Sequence, residues 1–232
     1  MVKEDLIQRS PVRVFEKSLR GGLKSGEIGV IASQSGIGKT SVLVQIAMDK
    51  LLQNKKVIHI SFTQDTNYVM VWYEDIFDEY IKKKNIENAK EIKNELVKNR
   101  VLMNFNQDGI SSEMILKSLK AMIVDGGFKA DALIIDGYDF SKTDAEQLKV
   151  MKAFAKELDL TVWYSCTVKG DGPLYDKRGI PVVIKDYLDI IDVVITLEPK
   201  QDHIAFTASK DRDVFNPEAM ALKLDPKTLL IA

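Results

Sequence analysis

Gly38-Lys39-Thr40 stands where an apolar run gives way to a helical pattern, and these residue types in this order suit the holding of phosphate. The surrounding segment reads Glu27-Ile28-Gly29-Val30-Ile31-Ala32-Ser33-Gln34-Ser35-Gly36-Ile37-Gly38-Lys39-Thr40-Ser41. A loop without bulky side chains lets successive backbone N–H groups converge on phosphate oxygens, and the helix behind it offers the positive end of its dipole to the same charge. In that arrangement Ser35, Gly36, Ile37, Gly38, Lys39, Thr40 and Ser41 bind a nucleotide's phosphates. Lys39 reaches the terminal ones and the Thr40 hydroxyl ligates Mg²⁺. The signature G-x-x-x-x-G-K-[ST] has glycine where this chain has Ser33, so the match rests on Gly38-Lys39-Thr40, with Gly36 adding freedom. A bare Gly-Lys-Thr is often just a helix start. Here a strand precedes it, and the apolar run Val42, Leu43, Val44, Ile46, Ala47, Met48, Leu51 and Leu52 marks the following helix as buried against a sheet.

A second stretch supports the first. Ala130-Asp131-Ala132-Leu133-Ile134-Ile135-Asp136 is an apolar strand ending in a carboxylate, the form in which an aspartate helps to hold the Mg²⁺ shell beside a phosphate loop. Strands ending in Asp-Gly are also common as turns. The pairing gains weight because open α/β sheets bind ligands at the carboxyl ends of their strands, where both motifs would lie.

The elements that must carry these residues follow from the hydrophobic pattern. Val57-Ile58-His59-Ile60-Ser61-Phe62 reads as a strand after the loop's helix, and His59 inside it reads as a packed or edge histidine. Residues 65–100 form a charged helical pattern, and residues 101–105 a short strand. Residues 111–124 and 143–158 read as amphipathic helices, and residues 160–166 and 190–197 as strands. Antiparallel-looking segments close the chain at residues 204–210 and 219–224. Alternating strands and helices predict an α/β fold with a mostly parallel sheet, flanked by helices and extended by antiparallel strands at the C-terminal end. Residues 1–20 read as a lead-in in which Pro11 breaks any early helix, while Val12, Val14, Phe15 and Leu19 lie against the core.

Composition bounds the function. The 232 residues, 45% of them hydrophobic, suffice for one α/β domain spanning 1–232. Lys and Arg number 33 against 34 Asp and Glu, so no global charge advertises a polyanionic partner. Cys166 stands alone, which excludes an intrachain disulfide framework. With a charged start and no run approaching a membrane span, the expectation is a soluble, cytoplasmic protein without a membrane partner.

With these residues in place, the chain resembles the RecA-like ATPase superfamily, and within it the branch of the DnaB helicases and of KaiC and RadA. Leu23-Lys24-Ser25-Gly26-Glu27 is similar to that branch's lead into the first strand. Ile37-Gly38-Lys39-Thr40 and Ile134-Ile135-Asp136 are similar to its two nucleotide-binding motifs, and Lys210-Asp211-Arg212 followed by residues 222–228 to its Lys-x-Arg segment and closing strand. The resemblance implies ATP and Mg²⁺ as cofactors, with Thr40 and Asp136 at the metal. It also implies a homo-oligomer, with a hexameric ring as one form, in which Lys210 and Arg212 reach a neighbour's γ-phosphate as an arginine finger does.

The chain also departs from that family. Where the branch carries a glutamate that activates water, this sequence has Thr63, Gln64 and Asp65, of which Asp65 alone is a candidate base. Where the family has a serine-glutamine pair that senses the γ-phosphate, it has Ser165-Cys166-Thr167. The expectation is an ATP-binding protein with slow or absent hydrolysis that works as a switch or assembly unit. The alternative is a competent ATPase using Asp65 or Asp139, acting as a nucleic-acid motor or loader with Lys169, Lys177 and Arg178 lining a pore.

Overall fold

The computed structural model describes residues 7–8, 10–63, 65–84, 88–215 and 218–232, without the side chains of Lys84 and Glu218. In chain order the elements are α1 (Pro11–Ser18), β1 (Ile28–Ser33), α2 (Lys39–Leu52), β2 (Val57–Ser61), α3 (Thr66–Lys84), α4 (Ala89–Lys98) and β3 (Arg100–Asn104). Then follow α5 (Ser112–Lys120), β4 (Ala132–Asp136), α6 (Ala145–Glu157), β5 (Thr161–Thr167), β6 (Val193–Pro199), β7 (Ile204–Asp211) and β8 (Glu218–Leu224).

All eight strands join one sheet in the order β3-β2-β4-β5-β1-β6-β7-β8. The first six positions pair in parallel, and β7 and β8 are added antiparallel. The expected α/β class with an antiparallel C-terminal extension is therefore what the chain forms. Two apolar layers cover the sheet. Side chains of α1, α2, α3 and α4 pack on one face, and those of α5 and α6 on the other. Covering both faces is why β1, β2 and β4 are buried along their whole length and read in the sequence as continuous apolar runs.

Centrally, Gly29 of β1 pairs with Trp163 of β5, and a Cβ added at Gly29 would lie 2.4 Å from the indole ring. The glycine is needed there because the buried indole occupies the space a side chain would take. Phe15 of α1 closes over the same indole at 5.6 Å between ring centroids.

Several local expectations change. Pro11 opens a helix where the sequence suggested that it breaks one. It sits in the first turn, where its missing N–H is not needed, and Ser10 caps that turn by accepting from the Val12 N–H. Val12, Phe15 and Leu19 do enter the core, but Val14 stays 45% exposed. The charged helical stretch divides into α3 and α4, and α5 ends at Lys120 in a π turn over Ala121–Asp125. His59 lies in an interior strand, its Nδ1 3.1 Å from the Tyr73 hydroxyl, and burial pushes its pKa down to about 4. It is a packed histidine. Among the described residues no helix is long and apolar enough to cross a membrane.

Candidate functional site

From β1 the chain leaves through α2 towards β2, passing over β5 and β4, whereas from β5 it proceeds to β6 on the other side of β1. Connections that diverge in this way leave a crevice at the carboxyl ends of the strands. A cleft of about 570 Å³ lies there, and residues following β1, β2, β3, β4 and β5 all line it.

The loop after β1 takes its shape from two glycines, Gly36 at φ 78° and Gly38 at φ 101°, both in the left-handed region. Gly38 is also crowded, since a Cβ there would stand 2.5 Å from Leu224 of β8. Ser33 needs no such freedom. It closes β1 in register with Thr167 and has no positive φ, so a serine satisfies a position where the motif has glycine. Its carbonyl accepts from Lys39 Nζ at 3.1 Å and from the Val168 N–H at 2.9 Å. Lys39 also donates to the Gln34 carbonyl at 2.8 Å, so the loop curls around its ammonium. Burial lowers the Lys39 pKa, opposed by the nearby Asp136 charge.

Serine and aspartate side chains cap α1, α5 and α6, through Ser10, Ser111 and Asp144. At the start of α2 stands Gly38, with no side chain to cap it. The start of α4 has no side-chain cap either, but the start of α2 also opens onto the cleft, where its first N–H groups could meet an anion. Beside them Thr40 Oγ1 donates to Asp136 Oδ2 at 2.7 Å, which brings together the two residues expected at the metal. Two hard oxygen donors in the cleft lining fit Mg²⁺, which keeps several waters and takes few ligands from protein.

Of the seven residues expected at the phosphates, Ser35, Gly36, Gly38, Lys39 and Thr40 line the cleft. The Ile37 side chain lines a neighbouring hollow with Tyr175 and Glu198. Ser41 is fully buried, and its hydroxyl donates to the Leu229 carbonyl at 2.5 Å.

The residues expected to do chemistry fare differently. Asp65 does not line the cleft. It is exposed at the start of α3, and its Oδ1 accepts from the Asn67 and Tyr68 N–H groups as a helix cap does. Thr63 lines the cleft, and Gln64 lies outside the described residues.

Lys210 and Arg212, expected to reach a neighbouring subunit, are taken up within their own chain. Lys210 is buried and donates to the Ile191 carbonyl at 2.5 Å. Arg212 holds Glu27 through both carboxylate oxygens, at 2.9 and 2.6 Å, and donates to the Leu19 and Gly22 carbonyls. A finger role would require breaking this network first. Ser165 and Thr167 line the cleft, while the intervening Cys166 points into the core, where burial pushes its pKa up to about 12. Of the Ser165-Cys166-Thr167 segment, two hydroxyls thus face the cleft and the thiol does not.

Several lining residues carry no motif: Gln107, Asp108 and Lys142 have no reading from the sequence, whereas Asp139 is expected as an alternative base and Lys169 as a pore cation. Gln107, in the loop after β3, clamps the backbone of Asp139, donating to its carbonyl at 3.0 Å and accepting its N–H at 2.8 Å. Lys142 pairs with Asp108 at 2.6 Å and Lys169 with Asp139 at 3.0 Å. Burial opposes the Asp139 charge, but hydrogen bonds from Ser141 and Lys169 outweigh it and hold the carboxyl below the usual aspartate range. Phe62, Trp72 and Tyr138 supply aromatic walls. Among the described residues no group of three or more histidine, cysteine and carboxylate side chains could hold a metal. A scan of the chain against protein-family models matches none, and a search of characterised proteins finds no relative.

Proposed function

We propose that the chain is a RecA-like nucleotide-binding protein that holds ATP with Mg²⁺, hydrolyses it slowly or not at all, and acts as a nucleotide-dependent switch or assembly unit. One observation carries the reading. The uncapped start of α2 opens onto a cleft with Lys39 beside it and the Thr40–Asp136 pair at its edge. That convergence suits a polyphosphate, because every group in it is a donor to anionic oxygen or a hard metal ligand.

When bound, Mg²⁺ supplies charge neutralisation along the phosphates. The chain's own residues bind and orient: the loop N–H groups and Lys39 hold the phosphates, while Thr40 and Asp136 hold the metal. Weak hydrolysis is supported by what surrounds them. Thr63, which follows β2 and lines the cleft, is not a base, Asp65 caps a helix, and Asp108 and Asp139 are each paired with a lysine. Asp139 is the observation that favours the alternative ATPase, since it lines the cleft as a firmly ionised carboxylate. The motor reading gains less support, because Lys169 and Arg178 are both ion-paired with aspartates.

The test is equilibrium binding of a fluorescent ATP analogue with Mg²⁺, run beside ATP turnover and sedimentation. Wild type binds, and Lys39→Ala weakens binding by roughly ten- to a hundredfold, the loss typical of a hydrogen-bonded charge. Turnover stays far below that of a protein with a placed base, a gap of about 10²–10⁴. Self-association increases with the nucleotide. Absence of binding by wild type overturns the proposal; rapid turnover abolished by Asp139→Asn replaces it with the ATPase.

A further inference from the structure

Lys169 is the cation whose placement the fold explains and the expected motifs do not. It follows β5 directly, two residues past Thr167, which pairs with Ser33 at the end of β1. Between them Val168 donates to the Ser33 carbonyl, the same oxygen that accepts from Lys39. The backbone that carries Lys169 is therefore fastened to the first residue of the phosphate loop. From there its side chain crosses to the end of β4, where Nζ lies 3.0 Å from Asp139 Oδ2, three residues beyond Asp136. Both partners of the ion pair line the cleft that Lys39 and Thr40 also line.

The two partners are held very differently. Asp139 is fixed independently of Lys169: Gln107 binds its carbonyl and N–H, and Ser141 donates to its Oδ1 through both N–H and hydroxyl. Lys169 is 67% exposed, and among the described residues Asp139 is the partner its ammonium has. An exposed pair of this kind contributes little by itself, so a more highly charged anion arriving in the cleft can take the lysine from it. Lys142 is placed otherwise, since it pairs with Asp108 after β3, at the far edge of the sheet from β1.

We propose that Lys169 discriminates nucleoside triphosphate from diphosphate by exchanging Asp139 for the γ-phosphate. This rests on the nucleotide site proposed above and adds its specificity. The exchange draws on the chain just before Leu174 and Tyr175, which face Gln34 and Ile37 of the phosphate loop across the neighbouring hollow. The third phosphate is thereby coupled to the segment of residues 168–181, the kind of coupling a switch requires. Hydrogen bonds to a charged group favour the triphosphate because it presents an additional anionic terminus within reach.

The experiment is titration calorimetry of a non-hydrolysable ATP analogue and of ADP, each with Mg²⁺, into wild type, Lys169→Ala and Asp139→Asn. In Lys169→Ala the analogue weakens by roughly five- to twentyfold while ADP changes less than about twofold, so the preference for triphosphate contracts. In Asp139→Asn the competitor for the lysine loses its charge, and the preference widens. Thermal unfolding of each variant verifies that the fold is retained. Equal weakening of both nucleotides in Lys169→Ala, or a contracted preference in Asp139→Asn, overturns the inference and leaves the nucleotide site standing. Failure of wild type to bind either nucleotide overturns both.

Discussion

Lys39, Thr40 and Asp136 are placed by strand termini and a helix start, whereas Thr63, Gln107, Asp139 and Lys169, which line the same cleft, are placed by loops. The first group inherits its position from two buried strands and a helix with hardly an exposed residue. The second is held by hydrogen bonds between side chains and neighbouring backbone, which can be exchanged for others. A holding group built on the core and an adjustable group built on loops would suit a protein that retains its ligand and changes shape with it. Catalysis asks for the reverse investment, a base and a water fixed as firmly as the phosphates.

The contrast is most sharply broken at Gly38. Its φ of 101° and the 2.5 Å approach of Leu224 predict that Gly38→Val costs about 3 kcal/mol in stability and removes nucleotide binding altogether. Gly36→Ala, with a positive φ but open space around it, loses about 1 kcal/mol and keeps some binding. Chemical denaturation together with nucleotide titration measures both. Equal effects at the two glycines would remove crowding from the explanation.

The next effect concerns a cation that the sequence assigns to chemistry and the fold assigns to structure. Arg212→Ala leaves Glu27 with the Lys24 N–H but without its ion-pair partner in a half-buried site, and is expected to destabilise by about 2 kcal/mol, with nucleotide affinity unchanged. Unchanged stability with altered turnover would return Arg212 to the catalytic side. The smallest effect is expected at Asp65. Loss of its bonds to the Asn67 and Tyr68 N–H groups costs about 1 kcal/mol as the loss of a cap, and leaves any residual ATP turnover as it was. A turnover defect in Asp65→Ala would place a base where the geometry shows a cap.

How much of this was legible in the sequence depended on what fixes each residue. Lys39, Thr40 and Asp136 could be read because strand, turn and helix are local patterns, and their meeting at one sheet edge follows from parallel topology. The antiparallel close of the chain was equally readable from alternating residues. Gln107 was not read, and Lys169 was read as a pore cation and not as the partner of Asp139, because both placements depend on which loop ends beside which, and that is set by the strand order. Cys166 is the buried thiol near a strand end that its apolar run suggests, but that Ser165 and Thr167 beside it line the cleft could not be read. Facing alternates at every residue of a strand, and the sequence alone does not say which face of β5 turns to the cleft. Pro11 was misread because the same ring that breaks a helix interior is welcome in its first turn, and only the Ser10 cap shows which applies.

The packing of Trp163 on Gly29 has a practical consequence. The chain has two tryptophans, and the fold sends them to opposite environments. Trp163 is sealed at 3% exposure beneath Phe15, where its emission reports whether the sheet is intact. Trp72 stands in the cleft wall, where a bound molecule would alter its surroundings directly. Replacing one or the other with phenylalanine turns the protein into its own optical probe, with ligand arrival and global unfolding read on separate indoles and without an added label.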